Sequence, residues 1–447
     1  MNGLVIPVSD GAALDAERVG PKAANLAAMA HAGMPTPGGF CISADAYRLQ
    51  LREMDLERAA LRYGAADDNE RRRISVDIRL GLYQGTIAPA ILEPALESWR
   101  AQRAESGEPG AVRSSALIED RAGAKFAGQF ESFLGLTSET DFTTALRACW
   151  AALWTTNVRR YMDGNDLTPG DTAMSVLVQP LVPALASGGG LSRTAEGEML
   201  ISATWGLGTA IAQGEVVPDR VILGRDLALR EVEAGRKDHS DQCHHHGTPK
   251  PRKVAEALAG KPCLDGAQSR ELGRHLLAAE AMMGHPVEIE WAMDAHGIKL
   301  LQVRPLDVGE MPVPDEIWQD KPGLRGHPAG VGWGAGRAVV IECECQLGQV
   351  APGDVLVTRV AGPALSHILP RVAGVVAELG GSTSHLASLA RERGIPMVLG
   401  ALNATGRIPD GSLVAVDGIA GVVRWMDYDA GRGRPAPGPR LYPPDIG

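Results

Sequence analysis

Cysteine is scarce in this 447-residue chain: there are six in all, and no two of them form a Cys-x-x-Cys pair. That usage fits reduced thiols in the cytosol. Long apolar runs are also missing, because no stretch reaches the roughly 20 residues that cross a membrane. The first residues lack a basic segment followed by an apolar core. We therefore expect a cytoplasmic protein with no membrane partner.

Positive charge is in the minority, since 44 Lys and Arg face 54 Asp and Glu and leave a formal net charge of −10. Nucleic acid and anionic membranes need a basic face, so neither is an expected partner and any phosphate site must be local. The composition is otherwise that of an ordinary soluble globular protein. The length exceeds what one hydrophobic core usually supports, which predicts two or three domains.

Changes of texture along the chain predict where those domains lie. Residues 1–308 are expected to form one domain of two lobes, a mostly helical lobe at about 1–110 and a mixed lobe at 111–308. A Pro- and Gly-rich stretch at 309–335 is typical of an interdomain linker. Short strands alternate with helices at 336–428, and a Pro- and Arg-rich tail follows at 429–447. The predicted fold class is α/β (α+β).

A β-hairpin is predicted where apolar and polar residues alternate on both sides of Asp294–Gly297. Glu288 and Glu290 project from one face of the first strand, and Gln302 and Arg304 share a face of the returning strand. Glu290 then lies roughly opposite Gln302. Carboxylate and amide oxygens suit Mg²⁺, and a guanidinium suits phosphate oxygens. A solvent-facing hairpin with a cross-strand ion pair explains the same pattern.

Three features before the hairpin are typical of a phosphate site. Lys22 stands at a helix entrance after Gly-Pro, Arg113 lies beside serines at a strand end, and the loop around Gly128 allows close approach to a phosphate. Each cation has an ordinary alternative as a solvated surface charge. A P-loop is excluded because the chain has no GxxxxGK[ST] sequence.

The segment Gly380-Gly-Ser-Thr-Ser-His385 precedes a helical stretch that ends near Gly394 and Pro396, so His385 is predicted in the first helical turn. The positive end of the helix dipole disfavours imidazolium and leaves a neutral nitrogen able to attack phosphorus. Nearby backbone N–H groups and the hydroxyls of residues 382–384 are suited to hold phosphoryl oxygens. The alternative is a capping histidine with no chemistry.

These motifs occur together and in a fixed order. GPKAANLAAMAHAGMPTPGGF is followed by VRSSALIED, FAGQFESFLGL, VEIEWAM with LQVRPL, and ELGGSTSHLASLARERGIPMVLG. Over nearly its whole length the chain resembles the phosphoenolpyruvate synthase, pyruvate phosphate dikinase and rifampicin phosphotransferase family. The resemblance implies an ATP-grasp nucleotide-binding domain and a small swivelling β/α phosphohistidine domain, with ATP and Mg²⁺ as cofactors.

The resemblance also implies roles for individual residues. The implied phosphate ligands are Lys22, Arg113 and Arg304, and the implied loop residues over the nucleotide are Gly128 and Ser132. The implied adenine-side contact is Gln179, the implied Mg²⁺ ligands are Glu290 and Gln302, and the implied phosphoryl carrier is His385. The transferred group would derive from the β-phosphate of ATP, with AMP and inorganic phosphate released. Cations at the nucleotide neutralise the charge that moves.

The chain departs from the family pattern in several places. It has Thr209 where the family usually has Glu after Gly-Leu-Gly, and ASGGGLSRTAEGE replaces a more apolar family strand. Neither the pyruvate-binding barrel of the synthases and dikinases nor the drug-binding helical domain of the rifampicin enzymes fits here. The acceptor is therefore not identified, and His367 is either a contact to it or a packed side chain.

Three hypotheses follow. The first is an enzyme that phosphorylates a small-molecule acceptor, the second a phosphocarrier subunit that serves a separate acceptor-binding protein, and the third a nucleotide-binding regulatory protein that has lost turnover. Two side features carry no assignment. Cys243–His246 is either a metal-binding segment or a polar loop with incidental histidines, and Cys343 and Cys345 share one face of a predicted strand.

Overall fold

The computed structural model describes residues 3–119, 130, 132–163, 167–194, 196–242, 250–306, 308, 318 and 320–426. The helices in this part of the chain are α1 Ala16–His31, α2 Ala44–Glu53, α3 Glu57–Arg62, α4 Asp68–Gln84, α5 Pro89–Ser106, α6 Glu139–Ala152, α7 Thr156–Asp163, α8 Thr209–Ala212, α9 Glu256–Ala259, α10 Gly266–Met283, α11 His385–Glu392 and α12 Ala404–Arg407.

The strands of the same part are β1 Val5–Pro7, β2 Phe40–Ile42, β3 Gly110–Ala116, β4 Ser132–Leu136, β5 Met174–Pro180, β6 Ala186–Leu191, β7 Met199–Trp205, β8 Asp219–Leu223, β9 Leu229–Glu233, β10 His239–Gln242, β11 Lys250–Lys253, β12 Val287–Asp294, β13 Gly297–Pro305, β14 Gly323–Arg325, β15 His327–Pro328, β16 Trp333–Ile341, β17 Val355–Thr358, β18 Gly374–Ala377, β19 Met397–Leu399, β20 Leu413–Asp417 and β21 Val422–Met426.

The chain divides into two compact units. The first comprises residues 1–185, 242–251 and 289–304, and the second comprises residues 186–241, 252–288 and 305–447. Among the described residues, no helix is long and apolar enough to cross a membrane.

The first unit is built on an antiparallel sheet with strand order β1-β2-β5-β3-β4. Helix α6 covers it with an apolar stripe, in which Phe142, Leu146 and Trp150 are fully buried. The helix begins at a capping box formed by Ser138 and Asp141, which satisfies two backbone donors that have no partner within the helix. Burial on both faces explains why β5 is a nearly continuous apolar run.

In the second unit, strands β6 to β9 pair antiparallel in sequence order. Glycine is required in β6, because a Cβ on Gly188 would overlap the Ser202 carbonyl of β7. Helix α10 starts at a capping box of Asp265 and Gln268, ends at Gly284 in the left-handed region, and contacts β6, β7 and β8.

The second unit also holds a mixed sheet with strand order β14-β21-β20-β16-β17-β18-β19-β15. Strands β16 to β19 are parallel neighbours, whereas the remaining pairs are antiparallel. Its core is aliphatic and includes the fully buried Val355, Val376, Val398 and Val414. Helix α11, which begins at His385, follows β18 after a tight loop.

Two predictions from the pattern are confirmed here. The fold is of mixed α/β class, and the predicted hairpin is present as β12 and β13, joined at Asp294–Gly297. Strands β14, β15 and the first residues of β16 fall inside the stretch that the sequence predicted as a linker. They were missed because their Gly- and Pro-rich sequence has few apolar residues, and their pairing comes from distant strands.

The expectation that Cys343 and Cys345 lie on a strand was wrong. They lie after the end of β16, where Cys343 caps a short 3₁₀ helix, Glu344–Gln349, and their sulfur atoms are in contact. Cys41, Cys149 and Cys263 are buried free cysteines.

Candidate active site

Lys22 is held at the buried face of the first unit by a kink in α1. Gly20 leaves the helical region with φ of 73°, and Pro21 restarts the helix. Only glycine fits at position 20, because φ is positive and a Cβ would overlap Ser115 of β3. This close approach of the helix to β3 explains why the Gly-Pro dipeptide precedes Lys22 in the sequence.

The ammonium group of Lys22 is compensated within the protein. Its Nζ donates to the Ser114 carbonyl at 2.6 Å and pairs with Glu119 Oε2 at 3.1 Å, and the residue is only 8% exposed. Glu119 in turn accepts from the backbone N–H of Ala116 through Oε1. A solvated surface charge is therefore excluded for Lys22. Sequence reasoning missed Glu119, since nothing in VRSSALIED indicates that its glutamate faces Lys22.

Arg113 lies on β3 and faces the hairpin. Its Nη1 is 3.4 Å from Glu290 Oε2, and within the described residues its buried Nε has no hydrogen-bond partner. A buried guanidinium donor without a partner is costly unless a ligand satisfies it. Ser132, the first residue of β4, is opposite Arg113 in the strand register and is exposed. Gly128 lies outside the described residues.

Gln302 and Arg304 lie two apart on β13 of the hairpin. Gln302 is buried, and its hydrogen-bonding surroundings assign the amide oxygen to the side of Arg304, where it accepts from Nη2 at 2.6 Å. The same oxygen also accepts from Arg304 Nε, so both of its lone pairs are engaged by Arg304. Glu290 retains 38% side-chain exposure, so its carboxylate is accessible beside Arg113.

Gln179 lies near the end of β5 and is buried. Its Nε2 is 3.5 Å from the carbonyl of Gly38, which stands with Gly39 in a positive-φ pair. A Cβ on Gly39 would overlap the Val178 carbonyl, so the turn packs directly on the strand.

The donor set at the hairpin fits a magnesium ion that also binds phosphate. Among the described residues, no three His, Cys, Asp or Glu side chains come together to enclose a metal. Mg²⁺ is commonly held by one or two protein oxygens and by substrate phosphates, with water filling the remaining positions. Glu290 offers one accessible carboxylate oxygen, whereas the amide oxygen of Gln302 is engaged by Arg304. The Nε of Arg113, which has no partner in the described part of the chain, suits a phosphate.

His385 is exposed and is the first residue of α11. The cap of this helix is Ser384, whose Oγ accepts from the Ala387 N–H at 3.2 Å. The alternative of a capping histidine therefore loses its support. In the described part of the chain, Ser382 Oγ and Thr383 Oγ1 are buried and have no hydrogen-bond partner.

The loop ahead of His385 is seated on residues of β6 and of the segment before β8. The N–H of Gly380, at φ of 99°, donates to the Val216 carbonyl at 3.0 Å. A Cβ on Gly381 would overlap Pro218, and one on Gly189 would overlap Thr383. Of the motif's two glycines, Gly380 thus supplies a positive φ and Gly381 allows close packing on Pro218.

Sequence reasoning also missed a buried ion pair behind this loop. Arg391 of α11 donates through Nη2 to Glu288 Oε2 at 2.8 Å and through Nη1 to the Ser382 carbonyl at 2.5 Å. Glu288 was expected only as a neighbour of Glu290 on the hairpin face. Its partner is 103 residues away, so no local pattern reveals it.

Other residues singled out by the sequence are placed as follows. Thr209 begins α8 and donates through Oγ1 to Asp241, which gives it a structural partner. His367 ends a short 3₁₀ helix and is exposed. Cys243–His246 lies outside the described residues.

A second histidine near the loop is fully enclosed. His327 of β15 packs against Gly400, and its Nδ1 has no partner among the described residues. Burial and the nearby Arg220 lower the pKa of His327 from 6.5 to about 4.

Comparison with known proteins agrees with this geometry. Residues 16–321 match the family model "Pyruvate phosphate dikinase, AMP/ATP-binding domain", and residues 350–421 match "PEP-utilising enzyme, mobile domain". A nucleotide-binding domain followed by a mobile domain of PEP-utilising enzymes is thus the class of protein defined here. The chain belongs to the family of the pyruvate phosphate dikinase AMP/ATP-binding domain, which confirms the resemblance.

Curated relatives are similar over most of this chain. It is 32% identical to phosphoenolpyruvate synthase of Aeropyrum pernix over 91% of its length and 56% of the relative's. The corresponding protein of Pyrococcus furiosus is 32% identical over 92% of this chain and 57% of its own length. That of Deinococcus radiodurans is 30% identical, with 90% and 55% covered. The chain spans a little more than half the length of these relatives.

Proposed function

We propose that this protein is an ATP-dependent dikinase-type phosphotransferase. It transfers the β-phosphate of ATP through phospho-His385 to a small-molecule acceptor and releases AMP and inorganic phosphate. The observation that carries the proposal is the placement of His385. It is exposed at the start of α11, whose cap is Ser384, and it follows two buried hydroxyls that have no partner among the described residues.

Phosphoryl transfer needs little covalent chemistry from the protein and depends mainly on how the protein positions the reacting groups. An imidazole nitrogen of His385 attacks the β-phosphorus of ATP, and the bond from that phosphorus to the α-phosphate oxygen breaks, so that AMP leaves. Water attacks the γ-phosphorus, which releases inorganic phosphate. The N-terminal N–H groups of α11, with Ser382 and Thr383, are placed to hold oxygens of the group carried on His385. His385 then passes this group to the acceptor.

On the nucleotide side, Lys22, Arg113 and Arg304 bind phosphate oxygens, and Gln179 contacts the adenine side. Gly128 and Ser132 cover the nucleotide. Glu290 and Gln302 hold Mg²⁺, which when bound neutralises charge on the phosphates. Because Lys22 and Arg113 are already paired with Glu119 and Glu290, phosphates must compete with carboxylates for these cations.

The proposed domain roles follow the sequence divisions. Residues 1–308 bind the nucleotide, 309–335 link, 336–428 carry the phosphohistidine, and 429–447 form a tail. We propose a cytoplasmic protein that uses neither nucleic acid nor membrane as a partner. The relatives are named for phosphoenolpyruvate synthesis, but the acceptor used by this chain is left open.

A second candidate is a phosphocarrier subunit that serves a separate acceptor-binding protein. The exposure of His385 favours it as much as it favours a small-molecule acceptor, since both need access to the imidazole. The regulatory protein is less well supported, because Lys22, Arg113, Glu290 and His385 are all present.

The test exposes the protein with Mg²⁺ to ATP labelled at either the β or the γ phosphate. The expected result is acid-labile β-label on a peptide containing His385, together with AMP. Stable retention of γ-label alone, or no label despite measured ATP binding, would overturn the proposal. Charged protein that transfers label only after a second protein is added would favour the phosphocarrier.

A further inference from the structure

The histidine loop, residues 380–384, is tied to its helix by one buried arginine. Arg391 is only 7% exposed in its side chain and lies on α11, the helix that begins at His385. Its Nη1 donates to the Ser382 carbonyl at 2.5 Å and lies 3.5 Å from the Ala329 carbonyl. One guanidinium therefore joins the loop before His385 to the helix after it.

The charge of Arg391 is balanced by the carboxylate of Glu288. Glu288, 12% exposed in its side chain, accepts from Arg391 Nη2 at 2.8 Å and from Ser388 Oγ at 3.3 Å, both through Oε2. Ser388 also accepts from Arg391 Nη2 at 3.2 Å, which closes a three-membered network. A buried guanidinium keeps its place only while its partner is present, because an uncompensated buried charge is strongly unfavourable.

The rest of the loop has no other charged attachment among the described residues. Gly380 is held by one backbone hydrogen bond to Val216, and the contacts of Gly381 and Thr383 are steric. The hydroxyls of Ser382 and Thr383 have no partner in this part of the chain. Directional control of the loop therefore comes mainly from Arg391 and from the Ser384 cap.

We infer that Glu288 and Arg391 are positioning residues for the phosphoryl-carrying His385: their ion pair fixes the histidine loop so that the imidazole and the loop hydroxyls face the transferred group together. This inference rests on the proposed function. Neither residue contacts the transferred group, and both act through the Ser382 carbonyl.

The same contacts separate Glu288 from a metal-binding role. Glu288 and Glu290 stand two apart on β12, yet Glu288 is engaged by Arg391 and Ser388, whereas Glu290 faces Arg113. A carboxylate engaged in a buried arginine pair is a poor candidate to bind Mg²⁺ as well. The two neighbouring carboxylates thus divide into a positioning group and a metal ligand.

The experiment uses Glu288→Gln, Arg391→Met and the double variant. Each single change is expected to slow single-turnover labelling of His385 from β-labelled ATP at least about tenfold. The double variant should be no slower than the slower single one, because both changes remove the same pair. ATP affinity should stay within about twofold of wild type. The Mg²⁺ concentration that gives half-maximal labelling of His385, which we call charging, should also stay within about twofold.

The matched control is Glu280→Gln. Glu280 is also 12% exposed in its side chain and accepts from both Nη atoms of Arg225 at 2.8 Å. The substitution therefore removes an equally buried carboxylate from an arginine elsewhere in the second unit. It should lower stability without slowing charging. Equal slowing by Glu280→Gln and Glu288→Gln would overturn the inference, as would a raised Mg²⁺ requirement in Glu288→Gln.

A second readout does not depend on phosphoryl transfer. Amide hydrogen exchange in peptides covering residues 380–392 should be faster in Glu288→Gln than in wild type and unchanged in Glu280→Gln. Unchanged exchange in Glu288→Gln would contradict the positioning role even if charging fell. Failure of wild-type protein to charge would instead refute the proposed function, with the exchange result still valid for the ion pair.

Discussion

The two regions that bear the predicted chemistry differ in how their polar groups are satisfied. At the nucleotide side, Lys22 and Arg113 each face a carboxylate of the protein, Glu119 and Glu290. At the histidine loop, Ser382 and Thr383 keep buried hydroxyls that no described residue satisfies. A phosphate bound at the first region would therefore have to displace internal partners, whereas at the second region it would meet hydroxyl donors that no described residue engages.

Removing His385 separates the two regions most completely. His385→Gln should abolish acid-labile labelling from β-labelled ATP, because no nucleophile remains, while ATP affinity stays close to wild type. Labelling is followed by peptide mapping and affinity by calorimetry. Undiminished labelling would show that another residue carries the group, and lost ATP binding would show that the two regions are not separable.

The hairpin carboxylate is the next test of the nucleotide side. Glu290→Ala removes a proposed metal ligand and should slow charging by about 100-fold while raising the Mg²⁺ concentration needed. The control is Asp294→Asn at the hairpin turn, where Asn can still accept the hydrogen bond from the His296 N–H. A normal Mg²⁺ dependence in Glu290→Ala would contradict the ligand assignment.

The compensation of Lys22 can be broken from its partner. Glu119→Gln leaves a buried ammonium unpaired and should lower the free energy of unfolding by about 2–3 kcal/mol, measured with urea. Adding Lys22→Met should recover part of that loss, because the unpaired charge is then gone.

Glu139→Gln serves as the comparison for that pair, since it removes a carboxylate from an exposed ion pair with Arg100 and should change stability little. If Glu119→Gln and Glu139→Gln behave alike, the Lys22 pair is not the buried contact described above.

The last effect, which appears only at acid pH, concerns stability near the histidine loop. With a folded pKa of about 4 and an ordinary value of 6.5, His327 binds a proton more readily in the unfolded chain. Stability should therefore be fully present above about pH 6.5 and fall toward pH 4, by at most about 3 kcal/mol from this group.

His327→Gln removes the titrating group, so urea midpoints measured between pH 6.5 and pH 4 should fall less steeply than in wild type. An unchanged slope would mean that other groups set the acid response.

How much of the structure could be predicted from the sequence depends on how far apart the interacting residues lie in the chain. The hairpin and the start of α11 at His385 were predictable, because period-two alternation and the Gly-Gly-Ser-Thr-Ser-His signal are local. Strands β14 and β15 were not, since their pairing partners β21 and β19 come about 100 and 70 residues later.

The ion pairs show the same limit at the site. Lys22 and Glu290 could be named from their motifs, but Glu119 and Arg391, which hold neighbouring groups in place, gave no local signal. Charged residues on an amphipathic helix are usually solvated, so LARERG gives no indication that Arg391 is buried. The proposed binding and carrier residues could thus be predicted from the sequence, whereas the residues that pair with their neighbours could not.

The packing of Thr383 against Gly189 has a consequence for sequence variation. A side chain at position 189 would occupy the volume of the threonine, so the glycine-rich composition of β6 and the residue preceding Ser384 are not independent. Where a related protein carries a larger residue at the first position, the second should be smaller or the loop shifted. The two sites, nearly 200 residues apart in the chain, are thus expected to change together.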